Sequence, residues 1–137
     1  MSYGHLRVRP FRRTAEGTIE IPVIWREGSR AFWPDTGFRA LSEHEHPEQA
    51  AGWAVWDAWG FRGNMRVVVF SREFATLGHS VTYHFAADLT GIASPAVGSG
   101  AEFRWFPEAV ARAAGYADGD LDRLLRALTV AGPPTIP

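Results

Sequence analysis

A chain of 137 residues lies in the size range of a single domain, and 46% hydrophobic residues, with six Trp, nine Phe and three Tyr, supply the apolar area of a packed core and exclude general disorder. A formal net charge of -1, with signs that alternate along the chain, excludes the basic footprint that nucleic acid requires. All 14 basic residues are Arg, and with no Cys the chain can form neither disulfides, thiolate nucleophiles nor Cys-ligated zinc.

The opening residues are too polar for the apolar core of a signal peptide, and no run approaches membrane-spanning length, so a cytoplasmic protein without membrane partners is expected. Leu6, Val8 and Pro10 alternate with Arg7 and Arg9, which predicts a first strand with one polar face. Residues 14–17 read as a turn. Residues 18–25, rich in β-branched and aromatic side chains, predict a second strand, which Pro22 places at an edge or a bulge. Residues 32–47 hold Gly, Pro, Asp, Ser and a dense mix of Glu and His without periodicity, and predict a long structured loop of the kind that carries function.

Pro47 suits a first helical position and Gly60 a stop, so a helix is predicted over residues 47–59. Residues 65–74 and 80–89 are β-rich runs joined as a hairpin. A small-residue loop follows, then a short strand over residues 102–106, a short helix over 107–114 and a second helix over 118–128 with Asp118 as its cap. One domain over residues 1–131 with a loose tail at 132–137 is expected, and no internal repeat is present.

Three stretches in this order resemble a Nudix domain. Phe32-Trp33-Pro34-Asp35-Thr36-Gly37 is similar to the approach to a Nudix box. Pro47-Glu48-Gln49-Ala50-Ala51, with Val55, Asp57, Gly60 and Phe61, is similar to the box helix and its glycine exit. Glu102-Phe103-Arg104-Trp105-Phe106-Pro107 is similar to the segment before the last helix. The resemblance implies an α/β/α sandwich with a mixed β-sheet.

Anchoring Gly60 on the last glycine of the box places its early Glu on Glu45, its Arg on Trp53, the neighbouring Glu on Ala54, the aliphatic on Val55, the Glu pair on Asp57 and Ala58, and the final aliphatic on Phe61. The opening Gly falls on Arg39, so Gly37 matches only if this loop is about two residues longer than the pattern. Pyrophosphate hydrolysis in the family implies Mg2+ or Mn2+ held by carboxylates on one helix face. Ala54, Asp57 and Ala58, three and four residues apart, share that face, and only Asp57 is acidic. Trp53 in place of the Arg leaves Glu45 without the partner the resemblance implies.

These replacements predict a degenerate box with no resident metal and with the family's reaction lost or severely weakened. The expected function is binding of a small, nucleotide-like ligand, or of a protein partner, around Trp53, Ala54, Asp57 and Ala58. An active hydrolase is the alternative, with Mg2+ or Mn2+ held by Glu43, Glu45, Glu48 and Asp57 and with Glu45, Asp57 and Glu102 as its catalytic residues. His44 and His46 lie within the same acidic stretch, which equally suits a hydrated polar loop.

Trp53, Trp56 and Trp59 recur every three residues on a helix that is apolar nearly all round, which predicts a core helix with one Trp projecting. The same pattern suits an apolar contact surface, so a homodimer through this helix is a third class of function. His79 and His84 are expected to be a turn residue and a strand-face residue without chemistry.

Overall fold

The computed structural model describes residues 4–25, 28, 31–42, 44–61, 65–74, 80–92 and 102–131, the side chains of Trp25, Glu102, Val130 and Ala131 excepted. The expectations for residues 75–79, 93–100 and 132–137 therefore lie outside the described residues, and so do those for Glu43 and for the Glu102 side chain.

The elements are β1 (Gly4–Arg13), β2 (Ile19–Trp25), β3 (Arg39–Leu41), α1 (Pro47–Trp59), β4 (Arg66–Phe74), β5 (Val81–Asp88), β6 (Glu102–Pro107), α2 (Glu108–Ala113) and α3 (Asp120–Ala131). The sheet runs β4-β5-β1-β2-β6, with β3 added beside the start of β1. It is mixed: β1 and β5 run parallel from Gly4↔Val81 to Phe11↔Asp88, and the other pairs are antiparallel. β1 changes partner along one side, meeting β3 at Gly4 to Leu6 and β2 at Arg12 and Arg13.

Alternation along the strands sorts two cores onto the two faces. Leu6, Val8, Phe85, Ala87 and Leu89 pack with Ala50, Ala51, Ala54 and Val55 of α1. Phe11, Ala86, Ile21 and Trp33 pack with Ala111 of α2 and Leu121, Leu124 and Leu128 of α3. The result is the expected α/β/α sandwich. Among the described residues, no helix is long and apolar enough to cross a membrane.

Four differences from the sequence reading have physical causes. The polar face of β1 is not solvated: Arg7 and Arg9 are 8% and 7% exposed, because acidic groups from α3 and the preceding loops close over them. The long loop contains β3, whose three residues are too few to display a period of two. β2 is an interior strand. Its ladder with β1 covers only Ile19 and Glu20, and the Ile24 amide, two residues beyond Pro22, donates to Phe32 at 3.0 Å on the side away from β6. The ring nitrogen of Pro22 faces that same side, where the β1 ladder has already ended, so no ladder bond is lost.

The fourth difference lies in β4, where the pairing slips by one residue between Val69 and Ser71. A one-residue slip moves every later side chain to the other face. Ser71 thereby pairs with His84, and Glu73 joins the α3 face.

Candidate functional site

Small side chains set the position of α1. Ala50, Ala51, Ala54 and Val55 are buried, so the helix lies close on β1 and β5, and its larger side chains turn outward or sideways. Successive Trp residues are separated by about 300° of helical rotation. Trp53 and Trp56 are consequently 47% and 39% exposed and lean on one another with ring centroids 5.2 Å apart at 38°, while Trp59 comes round to pack edge-on against Phe103 at 6.0 Å. Two indoles project, not the one expected. Gly60 ends the helix at φ 74°, where its amide donates to the Trp56 carbonyl at 2.7 Å, and Phe61 returns to the core. A side chain bearing Cβ is disfavoured at this left-handed position.

Glu45 does have a basic partner. Arg39 Nη2 donates to Glu45 Oε2 at 3.2 Å, and Arg39 Nη1 donates to the Ala50 carbonyl at 3.0 Å. The Ser42 amide donates to Glu45 Oε1 at 3.0 Å, and the Glu45 amide returns a bond to the Ser42 carbonyl at 3.2 Å. The hydrogen bonds from Ser42, with a further contribution from Arg39, hold the Glu45 carboxyl below the usual Glu range. The cation that the resemblance places at position 53 comes instead from β3, at a position that the aligned pattern gives to Gly.

A divalent cation needs several oxygen donors at close range. On α1, Ala54 is buried in the core, whereas Asp57 and Ala58 lie on the exposed surface with Trp53. Glu48, His44 and His46 are exposed, and both Glu45 oxygens already accept hydrogen bonds. No group of three His, Asp or Glu among the described residues is placed to hold a metal ion. The described donor set does not fit Mg2+ or Mn2+.

The face opposite α1 carries a different constellation. Arg7 pairs with Asp120, and with Asp35 at 3.4 Å. Arg9 donates to Asp118 at 2.6 Å and to the Trp33 carbonyl at 2.8 Å, and its guanidinium lies 4.6 Å above the Trp33 ring. The loop is locked to β1 by Thr36, whose amide donates to the Val8 carbonyl at 3.0 Å and whose Oγ1 accepts from the Val8 amide at 3.0 Å. Trp33 Nε1 donates to the Pro10 carbonyl at 2.8 Å. Asp118 Oδ1 accepts from the Asp120 amide at 3.0 Å at the start of α3, as a capping side chain does. Burial pushes the Asp120 carboxyl up, but Arg7, then Arg123 and Arg9, outweigh it and leave it below the usual Asp range.

Beside this network opens a cleft of about 490 Å³ lined by Arg9, Phe32, Trp33, Asp35, Tyr116 and Asp118. Phe32 is 50% exposed and Tyr116 half-buried, so aromatic surface borders two carboxylates that reach solvent. Rings at such a mouth can stack a flat group, and Asp35 and Asp118 can accept hydrogen bonds from its edge. Arg9 Nε is buried beneath it without a hydrogen-bond partner among the described residues.

His84 is 3% exposed on this same face, with Nε2 2.9 Å from Glu73 Oε1 and Nδ1 without a partner among the described residues. Burial, then Arg7, lowers its pKa, against Glu73 and Asp120. Sequence reasoning missed the cleft residues Arg9, Asp35, Tyr116 and Asp118 as a group, because they come from three separated segments. The available signal was Asp118 with Asp120 at a helix start and an Arg pair alternating on an apolar strand.

No family model and no curated protein matches the sequence. Solved structures do. A Listeria monocytogenes protein assigned to the Nudix hydrolases superposes with a TM-score of 0.59 at 18% identity over 88% of this chain and 86% of its own. A Nudix hydrolase of M. smegmatis gives 0.57 at 20% identity over 96% and 88%, and the Ap4A hydrolase of C. elegans gives 0.52 at 15% over 96% and 98%. The chain has the fold of the Nudix hydrolases, and at these identities the likeness is one of fold.

Proposed function

We propose that on this Nudix fold the metal-dependent pyrophosphohydrolase reaction has been lost, the box being degenerate, and that the chain is a cytoplasmic protein binding a small, flat, nucleobase-like ligand. The observation that carries this reading is the contrast between the two faces. At the α1 positions where the resemblance implies a carboxylate cluster, methyl groups at Ala54 and Ala58 leave Asp57 as the one acid, and a methyl can neither ligate a cation nor activate water. Across the sheet, an open cleft combines aromatic surface with exposed carboxylates, a lining suited to a planar nitrogenous group. The ligand is assigned to that cleft in preference to Trp53, Ala54, Asp57 and Ala58, because Ala54 is buried.

The test is a panel of nucleosides and nucleoside diphosphate-linked compounds with Mg2+ or Mn2+, read both as product release and as intrinsic Trp fluorescence. Saturable quenching without turnover, weakened in Tyr116→Ala, supports the reading. Turnover that vanishes in Asp57→Ala or Glu45→Gln overturns it in favour of the hydrolase alternative, with Glu43, Glu48 and Glu102 as the further candidate donors. Absence of both quenching and turnover across the panel counts against a nucleobase-like ligand.

A further inference from the structure

His84 and Arg7 are register partners in the parallel ladder of β1 and β5, so their side chains stand side by side on the α3 face. Phe70 and Phe38 flank the imidazole, with ring centroids 6.0 and 6.5 Å away. The charged groups that act on it come from three elements: Arg7 from β1, Glu73 from β4 and Asp120 from α3.

Glu73 Oε1 lies 2.9 Å from His84 Nε2. An ionised carboxylate only accepts, so Nε2 carries the proton of the neutral ring and a second proton enters at Nδ1. That atom is buried, without a hydrogen-bond partner among the described residues. The new N–H therefore needs an acceptor, and Asp120 is already shared by Arg7, Arg9 and Arg123.

Arg7 ties two segments together. Its Nη1 reaches Asp35 in the loop before β3 at 3.4 Å, and its Nη2 holds Asp120 at the start of α3. The same two segments line the cleft, the first with Phe32, Trp33 and Asp35, the second with Tyr116 and Asp118. An imidazolium beside Arg7 repels its guanidinium and competes with it for Asp120, and salt screens buried charges little. Histidine is the side chain whose charge ordinarily changes between about pH 5 and 8.

We propose that proton uptake by His84 loosens the hold of Arg7 on Asp35 and Asp120, and so makes the cleft pH-sensitive through a residue that does not line it. What this coupling does to a ligand rests on the proposed function; the coupling itself does not.

The test uses no ligand. Amide hydrogen exchange, corrected for its intrinsic pH dependence, is followed beside an NMR titration of the His84 ring. The reporters are the Thr36 and Asp120 amides, which donate to the Val8 carbonyl and to Asp118 Oδ1. The Gly60 amide, bonded to the Trp56 carbonyl across the sheet, is the control for global opening. Protection at Thr36 and Asp120 should fall with the midpoint of the ring, while Gly60 stays protected. Glu73→Gln, at a side chain 70% exposed, removes an anion that favours the protonated ring, so both transitions should move to lower pH together. His84→Gln should abolish the amide transition.

A ring titration without loss of protection overturns the coupling, as does an equal loss at Gly60. So does an amide transition that stays in place in Glu73→Gln or persists in His84→Gln. Each of these results leaves the ligand reading standing, and a nucleoside panel that fails to bind leaves the coupling standing.

Discussion

Arg39 Nη2 reaches Glu45 Oε2 at 3.2 Å while its Nη1 holds the Ala50 carbonyl at 3.0 Å, so one guanidinium ties β3, the loop after it and the first turns of α1 together. The entry to the helix is thus fixed from a strand and not from the helix itself.

Arg39→Ala is expected to lower stability by about 1 kcal/mol, mostly through the lost charge-assisted bond to the Ala50 carbonyl, measured by urea denaturation at neutral pH. Glu45→Gln should cost less, because that bond survives. The Glu45 carboxyl lies below its ordinary value, so its contribution is present above the unfolded-state pKa and is lost as pH falls through the folded one. Glu45→Gln should therefore flatten the acid limb of the stability profile, and an unchanged limb would count against this contact.

Asp120→Asn should be far more damaging. Asp120 is 6% exposed and faces Arg7, Arg9 and Arg123, so neutralising it leaves the buried Arg7 guanidinium with only its longer contact to Asp35, while Arg9 keeps Asp118. Breaking a buried pair outright costs about 3–5 kcal/mol, and the remaining Asp35 and Asp118 contacts place the expected loss at or below the lower end of that range. Asp118→Asn, with a side chain 56% exposed, should cost less. The lowered Asp120 pKa again has the sign of stability held above the unfolded carboxylate value and lost on acidification through the folded one. Unfolding curves for both variants at neutral and acid pH check the ranking.

His84 should remain neutral at a pH where an exposed imidazole is half protonated. Its pKa is lowered, first by burial and then by Arg7. The unfolded chain then binds more protons over the interval between the folded pKa and 6.5, the ordinary value, so stability falls as pH drops through that interval. Glu73→Gln removes a group that raises the pKa, and should depress it further in an NMR titration of the ring. A rise instead would mean that the Glu73 carboxylate does not favour the protonated ring.

Ala54→Glu combined with Ala58→Glu restores three carboxylates at helical spacing around Asp57. Ala54 is 6% exposed within the core cluster, so the double variant should be destabilised without metal and rescued by Mn2+, seen as a rise in melting temperature absent from the parent chain. A folded variant whose melting temperature ignores Mn2+ would count against the placement of the box on α1.

Elements with strong local signals were legible in the sequence. Pro47 and Gly60 bound α1 as expected, since a ring without an amide suits the first turn and a left-handed position favours glycine. The turn at residues 14–17 and the antiparallel pairing of β4 with β5 followed from equally local chemistry. What escaped was non-local. The burial of Arg7 and Arg9 depends on Asp118 and Asp120, more than a hundred residues away, and the partner of Glu45 depends on β3 pairing with β1. Glu73 meets His84 only because the β4 ladder slips by one residue, an event that no period in the sequence records.

By itself the sequence determined the order and type of nearly every element and which side chains α1 carries, because periodicity, capping and residue identity act within a few positions. The tertiary structure decided which charges are buried, which acid meets which base, and where the cleft opens. Those outcomes depend on segments brought together by the sheet, and an electrostatic partner is chosen by distance in space, not by distance along the chain.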